Sequence, residues 1–91
     1  MIVNTDHGEF EVRDITRKER RKHYRKVKEI VQAGDIGELH DLGDEFTLIA
    51  FGNEKEADKA LEGLSAIEED EVLNQIILDY FGLDLKNASG D

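Results

Sequence analysis

Three local signals point to a mostly helical α+β domain, an N-terminal β-hairpin followed by three helices. The opening residues alternate apolar and polar at strand period. Two later segments each begin with a hydroxyl residue and a glutamate three positions on, Thr16 with Glu19 and Ser65 with Glu68. That spacing lets each side chain satisfy the other residue's backbone amide at a helix start. Both segments end at a glycine, Gly34 and Gly82, the residue that enters the left-handed stop without strain.

Taken in order, Ile2 and Val3 precede a polar turn from Asn4 to Gly8, and Phe10 and Val12 then alternate with Glu9, Glu11 and Arg13. This is a hairpin pattern. The first helix runs from Arg17 to Ala33. At 100° per residue Tyr24, Val27, Ile30 and Val31 form its inner stripe, joined by His23 and the stem of Arg20. Residues 34–45, "GDIGELHDLGDE", hold three glycines and little periodicity, and read as a loop with room for one helical turn. The run 46–51, "FTLIAF", fits either a short buried strand or a buried helical turn. Asn53 caps a second helix, with Glu56 again at the capping-box position and Ala57, Ala60, Leu61 and Leu64 along one face. In the third, "AIEEDEVLNQIILDYF", the acidic residues 68–71 sit at the positive end of the helix dipole. Val72, Leu73, Ile76, Ile77, Tyr80 and Phe81 then recur at helical period. Leu83 and Leu85 are placed to fold back on its end. The domain is expected to span 1–85, with 86–91 a mobile tail.

Ninety-one residues allow one domain with one modest core. The apolar fraction is low at 38% and the charged fraction high at 37%, so part of the chain is expected to gain burial from a partner. The absence of cysteine excludes disulfides and thiolate zinc sites and suits a reducing cytoplasm. No apolar run approaches the ~20 residues of a membrane span, and no signal-peptide pattern opens the chain. Catalysis finds little to work with: two serines (Ser65 as a cap, Ser89 near the end) and three isolated histidines, His7, His23 and His40. No nucleophile–base pair can be assembled from them, and a non-enzymatic role without cofactor is expected. Asp35, Glu38, His40, Asp41, Asp44 and Glu45 lie within eleven residues but lack the order of a calcium loop. They read as a hydrated acidic segment, with no metal expected.

The charge distribution carries more information. The chain has a net charge of -10, yet nine of its twelve Lys and Arg fall between Arg13 and Lys28, a segment of about +7. Residues 29–91 carry -14. On the helical wheel Arg17, Lys18, Arg21, Lys22, Arg25, Lys26 and Lys28 fill the face opposite the apolar stripe. The cluster is therefore the whole outer face of an amphipathic helix. Three uses are open to it: nucleic-acid binding through helix 17–33, contact with an acidic protein face (another copy of the chain included), or balance against the chain's own acidic helices. The strong overall acidity opposes polyanions as the main partner. Apolar docking residues, anchored at i, i+3 and i+4 as in helix-in-groove binding, are Phe46, Leu48 and Phe51, and Ile76, Ile77, Tyr80 and Phe81. The alternative for all seven is the domain's own core.

The segment "EFTLIAFGNEKEADKALEGL" resembles part of an RNA-recognition motif. Phe46, Ile49 and Phe51 match its aromatic strand, and Glu56, Ala57, Ala60, Leu61 and Leu64 its helix. Leu48 stands where that family has a stacking aromatic, and Asp44-Glu45 where it has a basic residue and glycine. Those departures weaken RNA stacking.

Across residues 8–86 the chain resembles the small tail assembly chaperones of long-tailed bacteriophages. The opening Gly8, Phe10, Val12, Arg13, Ile15 and Thr16 matches theirs, followed by a charged helix, Leu61 with Leu64, and a closing "VLNQIILDYFGL". The resemblance implies a protein of the host cytoplasm that binds the long helical tape-measure protein, keeps its apolar faces soluble and recruits tail-tube subunits. It also implies a longer frameshifted product, and Leu85-Lys86-Asn87 is compatible with the adenine run that slippage requires.

Overall fold

A computed structural model describes residues 1–83. It is a mostly helical α+β fold: a hairpin of β1 (Ile2–Thr5) and β2 (Gly8–Glu11), then α1 (Arg17–Ala33), α2 (Ile36–Asp41), α3 (Gly43–Phe51), α4 (Glu54–Ala60) and α5 (Ala66–Phe81). The expected mobile tail, the fold-back of Leu85 and the Leu85-Lys86-Asn87 run lie outside the described residues.

The strands pair antiparallel, Val3 opposite Phe10 and Thr5 opposite Gly8. The turn is therefore only Asp6 and His7, tighter than the Asn4-to-Gly8 turn expected. The Thr5 hydroxyl holds it, accepting from the His7 amide at 3.0 Å and donating to the Gly8 carbonyl at 2.9 Å. The capping boxes at Thr16 and Ser65 form in full, whereas at Asn53 only one half is made, its side chain accepting from the Glu56 amide at 2.9 Å. Gly34 and Gly82 adopt left-handed φ of 69° and 64°.

Five helices replace the three expected. The Asp35 carboxylate accepts from the Glu38 amide at 3.1 Å and starts α2 inside the segment read as a loop. Fully buried Leu39 pins that short helix to the core. The open choice at 46–51 resolves as helix, because α3 begins at Gly43 and Phe46 and Ala50, four apart, both turn inward. That outcome also removes the RNA-recognition likeness, whose aromatic segment must be a strand. The second expected helix is short and ends at Ala60.

α5 is the spine. Val72, Leu73, Ile76, Ile77, Leu78, Tyr80 and Phe81 are all buried, wider than a single amphipathic stripe, because β1, α3, α2 and α1 pack around it. Phe46 is the aromatic hub, its ring 5.2 Å from His23, 5.7 Å from Phe81 and 6.3 Å from Tyr80. Edge-on and tilted pairs at such distances are favourable beyond their buried area. Arg13, the residue leaving the hairpin, is held from two sides. Its amide donates to the Ala50 carbonyl at 2.8 Å, and its carbonyl accepts from the Tyr80 hydroxyl.

Candidate functional site

The cationic face of α1 is built by a helix that uses only three positions, Val27, Ile30 and Val31, for full burial. Thr16 starts it: the Thr16 hydroxyl accepts from the Glu19 amide at 3.1 Å and Glu19 Oε1 accepts from the Thr16 amide at 3.1 Å. The Thr16 hydroxyl and amide hydrogen bonds lower the Glu19 carboxyl below its usual range. Seventeen residues make the helix about 25 Å long.

Arg17, Lys18, Arg21, Lys22, Arg25 and Lys28 are all exposed, as is Lys26. Arg20 differs from them: its Nε donates to the Tyr80 carbonyl at 3.4 Å and its guanidinium lies 5.0 Å from the centre of the Tyr24 ring. Lys28 Nζ sits 5.9 Å from the same ring, so its side chain covers Tyr24 while its charge faces solvent.

Neutralisation within the chain is slight. Among the described residues one cation of this face reaches a carboxylate, Lys22 to Glu45 at 3.9 Å, with both side chains largely exposed. An exposed pair of that kind contributes ~0–1 kcal/mol. Across a groove of ≈ 660 Å³, Asp35 and Glu38 face Lys22, Arg25 and Lys26 without coming within ion-pair distance. Arg17, Lys18 and Arg21 have no ion-pair partner among the described residues. Balance against the chain's own helices is therefore partial, limited to Glu45 of α3 and, across the groove, Asp35 and Glu38 at α2.

The apolar candidates divide. Phe46, Ile76, Ile77, Tyr80 and Phe81 are core residues, the most exposed of them at 5%. They offer no surface in this fold, because they fill the core in which α5 packs against β1, α1, α2 and α3. Leu48 is 46% exposed. Phe51 is half-buried and lines a second groove with Val12, Ala50 and Ala60.

Further apolar side chains are exposed beyond those expected, among them Ile2 and, most of all, Ile67. Ile67 is 72% exposed, although its angular position falls between those of Phe81 and Leu78, which are buried. It lies in the first turn of α5, before the helix enters the packed region, and wheel phase does not report where neighbouring elements end.

All three histidines face carboxylates on other elements. His7 Nε2 is 2.9 Å from Glu71 and its Nδ1 3.4 Å from Glu68, His23 Nε2 is 3.2 Å from Glu45, and His40 Nδ1 is 3.9 Å from Asp70. The Glu71 hydrogen bond raises the His7 imidazole above its ordinary range, against an opposing effect of burial and with added pull from the charges of Glu71, Glu68 and Asp6. The acidic residues 35–45 are dispersed among these roles: Asp35 caps α2 and Glu45 serves His23 and Lys22. Among the described residues no group of three is arranged to hold a metal ion, and no helix is long and apolar enough to cross a membrane.

No protein-family model matches the chain, and no curated protein or solved structure matches it.

Proposed function

We propose that this chain is a non-enzymatic protein-binding module that docks acidic helical protein surfaces on the outer face of α1, and that it acts in the cytoplasm as an assembly chaperone of the phage-tail kind. The observation carrying the reading is the row of exposed cations on α1 with one intramolecular partner, Lys22 to Glu45, among the described residues. A rigid helix presenting charges at i and i+4 matches a second helix with acidic residues at the same interval. The rest of the chain, at -14 from residue 29 onward, disfavours nucleic acid as the main partner. The tape-measure and tail-tube proteins are the partners that the whole-chain resemblance supplies.

Anisotropy titrations separate this from nucleic-acid binding through the same helix. A labelled Glu-rich helical peptide should bind the protein at moderate salt and lose binding to an Arg17→Glu/Arg21→Glu variant. Labelled duplex DNA and single-stranded RNA should bind at least tenfold more weakly. Tight nucleic-acid binding that weakens steeply with salt would overturn the reading. The chaperone assignment has its own check in the gene: an adenine run at codons 85–87 with an overlapping downstream frame is expected, and codons that break the run with no such frame refute it.

A further inference from the structure

We infer that one acidic surface recognised by α1 is carried by a second copy of this chain: the shoulder formed by the α4–α5 link and the first turns of α5, with Ile67 at its centre. The inference rests on the docking role proposed above and names a partner for it.

Residues 60–71 hold five acidic and no basic residues, Glu62, Glu68, Glu69, Asp70 and Glu71. Three of these are engaged internally, Glu68 and Glu71 by His7 and Asp70 by His40. Glu62 and Glu69 have no ion-pair partner among the described residues. Ile67 stands among them as the most exposed large apolar side chain described. An exposed apolar side chain set among charges supplies the apolar centre that a contact ringed by charge requires.

The monomer keeps the two patches apart. Arg20 fixes α1 to α5 at Tyr80, thirteen residues beyond Ile67, and at the rise of an α-helix that is about 20 Å along α5. Both helices belong to one packed core, so that end of α1 is held away from Ile67, and among the described residues no cation of α1 pairs with an acidic residue of 60–71. On the cationic side Arg20 and Lys28 lie over half-buried Tyr24, and the apolar stems of these side chains give Ile67 a surface to rest on. The two patches differ, so the contact is heterologous: each copy offers one of each, and association continues into chains or a ring. Exposed pairs fix register and orientation more than affinity, which makes the association weak and strongly dependent on salt.

Sedimentation velocity tests this. At about 50 mM salt the weight-average mass of the wild type should rise with concentration, and at about 500 mM, where the Debye length falls to a few ångströms, it should return to monomer. Two variants each remove one half of the contact, Arg17→Glu/Arg21→Glu and Glu62→Lys/Ile67→Ser, and circular dichroism verifies that both fold. Each alone should be monomeric at low salt. Their equimolar mixture should form a dimer that grows no further, because only one intact pair of patches remains. A symmetric contact, or one made elsewhere, does not produce that complementation. A wild type that stays monomeric at low salt to hundreds of micromolar, association that survives either variant, or a mixture that stays monomeric would each overturn the inference. If a monomeric wild type still binds the Glu-rich peptide through α1, the docking role stands and only the second copy is lost. Failure of both measurements removes both readings.

Discussion

Tyr80→Phe isolates the bond that ties the hairpin exit to the helical core. Tyr80 is 5% exposed and its hydroxyl donates to the Arg13 carbonyl. The same peptide region is anchored on the other side by the Arg13 amide donating to Ala50 at 2.8 Å. Phenylalanine keeps the ring and its contacts with Phe46 and removes only the donor. The Arg13 carbonyl left behind, at a part-buried position, loses its protein partner. A lost hydrogen bond with an unsatisfied acceptor costs about 1–3 kcal/mol. In a domain of this size each 1 kcal/mol moves the melting midpoint by roughly 4–8 °C. Urea unfolding followed by circular dichroism should show a lower midpoint at unchanged slope, and hydrogen exchange should speed up at the Arg13 amide.

The same residue supplies an independent pH signature. Burial, with smaller contributions from Asp14 and Glu19, pushes the Tyr80 phenol up to about 12 from an ordinary 10.0. Below pH ~10 both the folded and the unfolded chain hold the proton and the contribution is complete. Between 10 and 12 the unfolded chain releases it first, so stability falls as pH rises. The difference between wild type and Tyr80→Phe should therefore shrink across that window. A destabilisation under about 0.5 kcal/mol, or a difference flat in pH, would refute this account of how the hairpin is attached.

Two further substitutions probe other parts of the assembly. Phe46→Ala removes the hub of the aromatic cluster, a fully buried ring touching His23, Tyr80 and Phe81; a loss of about 3–5 kcal/mol is expected in urea unfolding, and a loss below 2 would mean the cluster closes over the gap. His7→Gln removes the clamp between the hairpin turn and Glu68 and Glu71. Because the folded imidazole is raised, its stabilisation is complete below about 6.5 and disappears as pH rises through the folded value. Wild type should lose stability relative to the variant over that rise, and parallel pH curves for the two proteins would contradict the clamp.

The long helices and the hairpin were legible because their signals are local. Thr16 with Glu19, Ser65 with Glu68, and the glycines at 34 and 82 mark helix ends through hydrogen bonds made within a few residues. α2 was not legible: six residues are too few for a periodic stripe, and what holds it is Leu39 reaching a core assembled from distant sequence. Phe46 to Phe51 was apolar on too many sides to show a period; the contacts around Phe46 and Ala50 decide its conformation. At the candidate site, wheel phase placed every cation of α1 correctly. Whether those cations would be paired, and whether Ile67 would be covered, depended on where α2, α3 and the hairpin stop. No local pattern encodes that.

The burial of α5 also decides which kind of contact the chain is suited to make. Had Ile76, Ile77, Tyr80 and Phe81 formed an open groove, a partner helix could have been held by apolar area, which changes little with salt. With those residues in the core, the described surface offers rows of charge and scattered apolar points such as Leu48 and Ile67. Binding built from such elements is individually weak per pair, fast to form and dependent on register. Such a contact holds a partner in position yet yields to a competitor that buries more apolar area, as a chaperone displaced by polymerising subunits must. The proposed role and the chain's charge asymmetry thus require the same property of the interface, reversibility, and salt dependence of the α1 contacts is where it is measured.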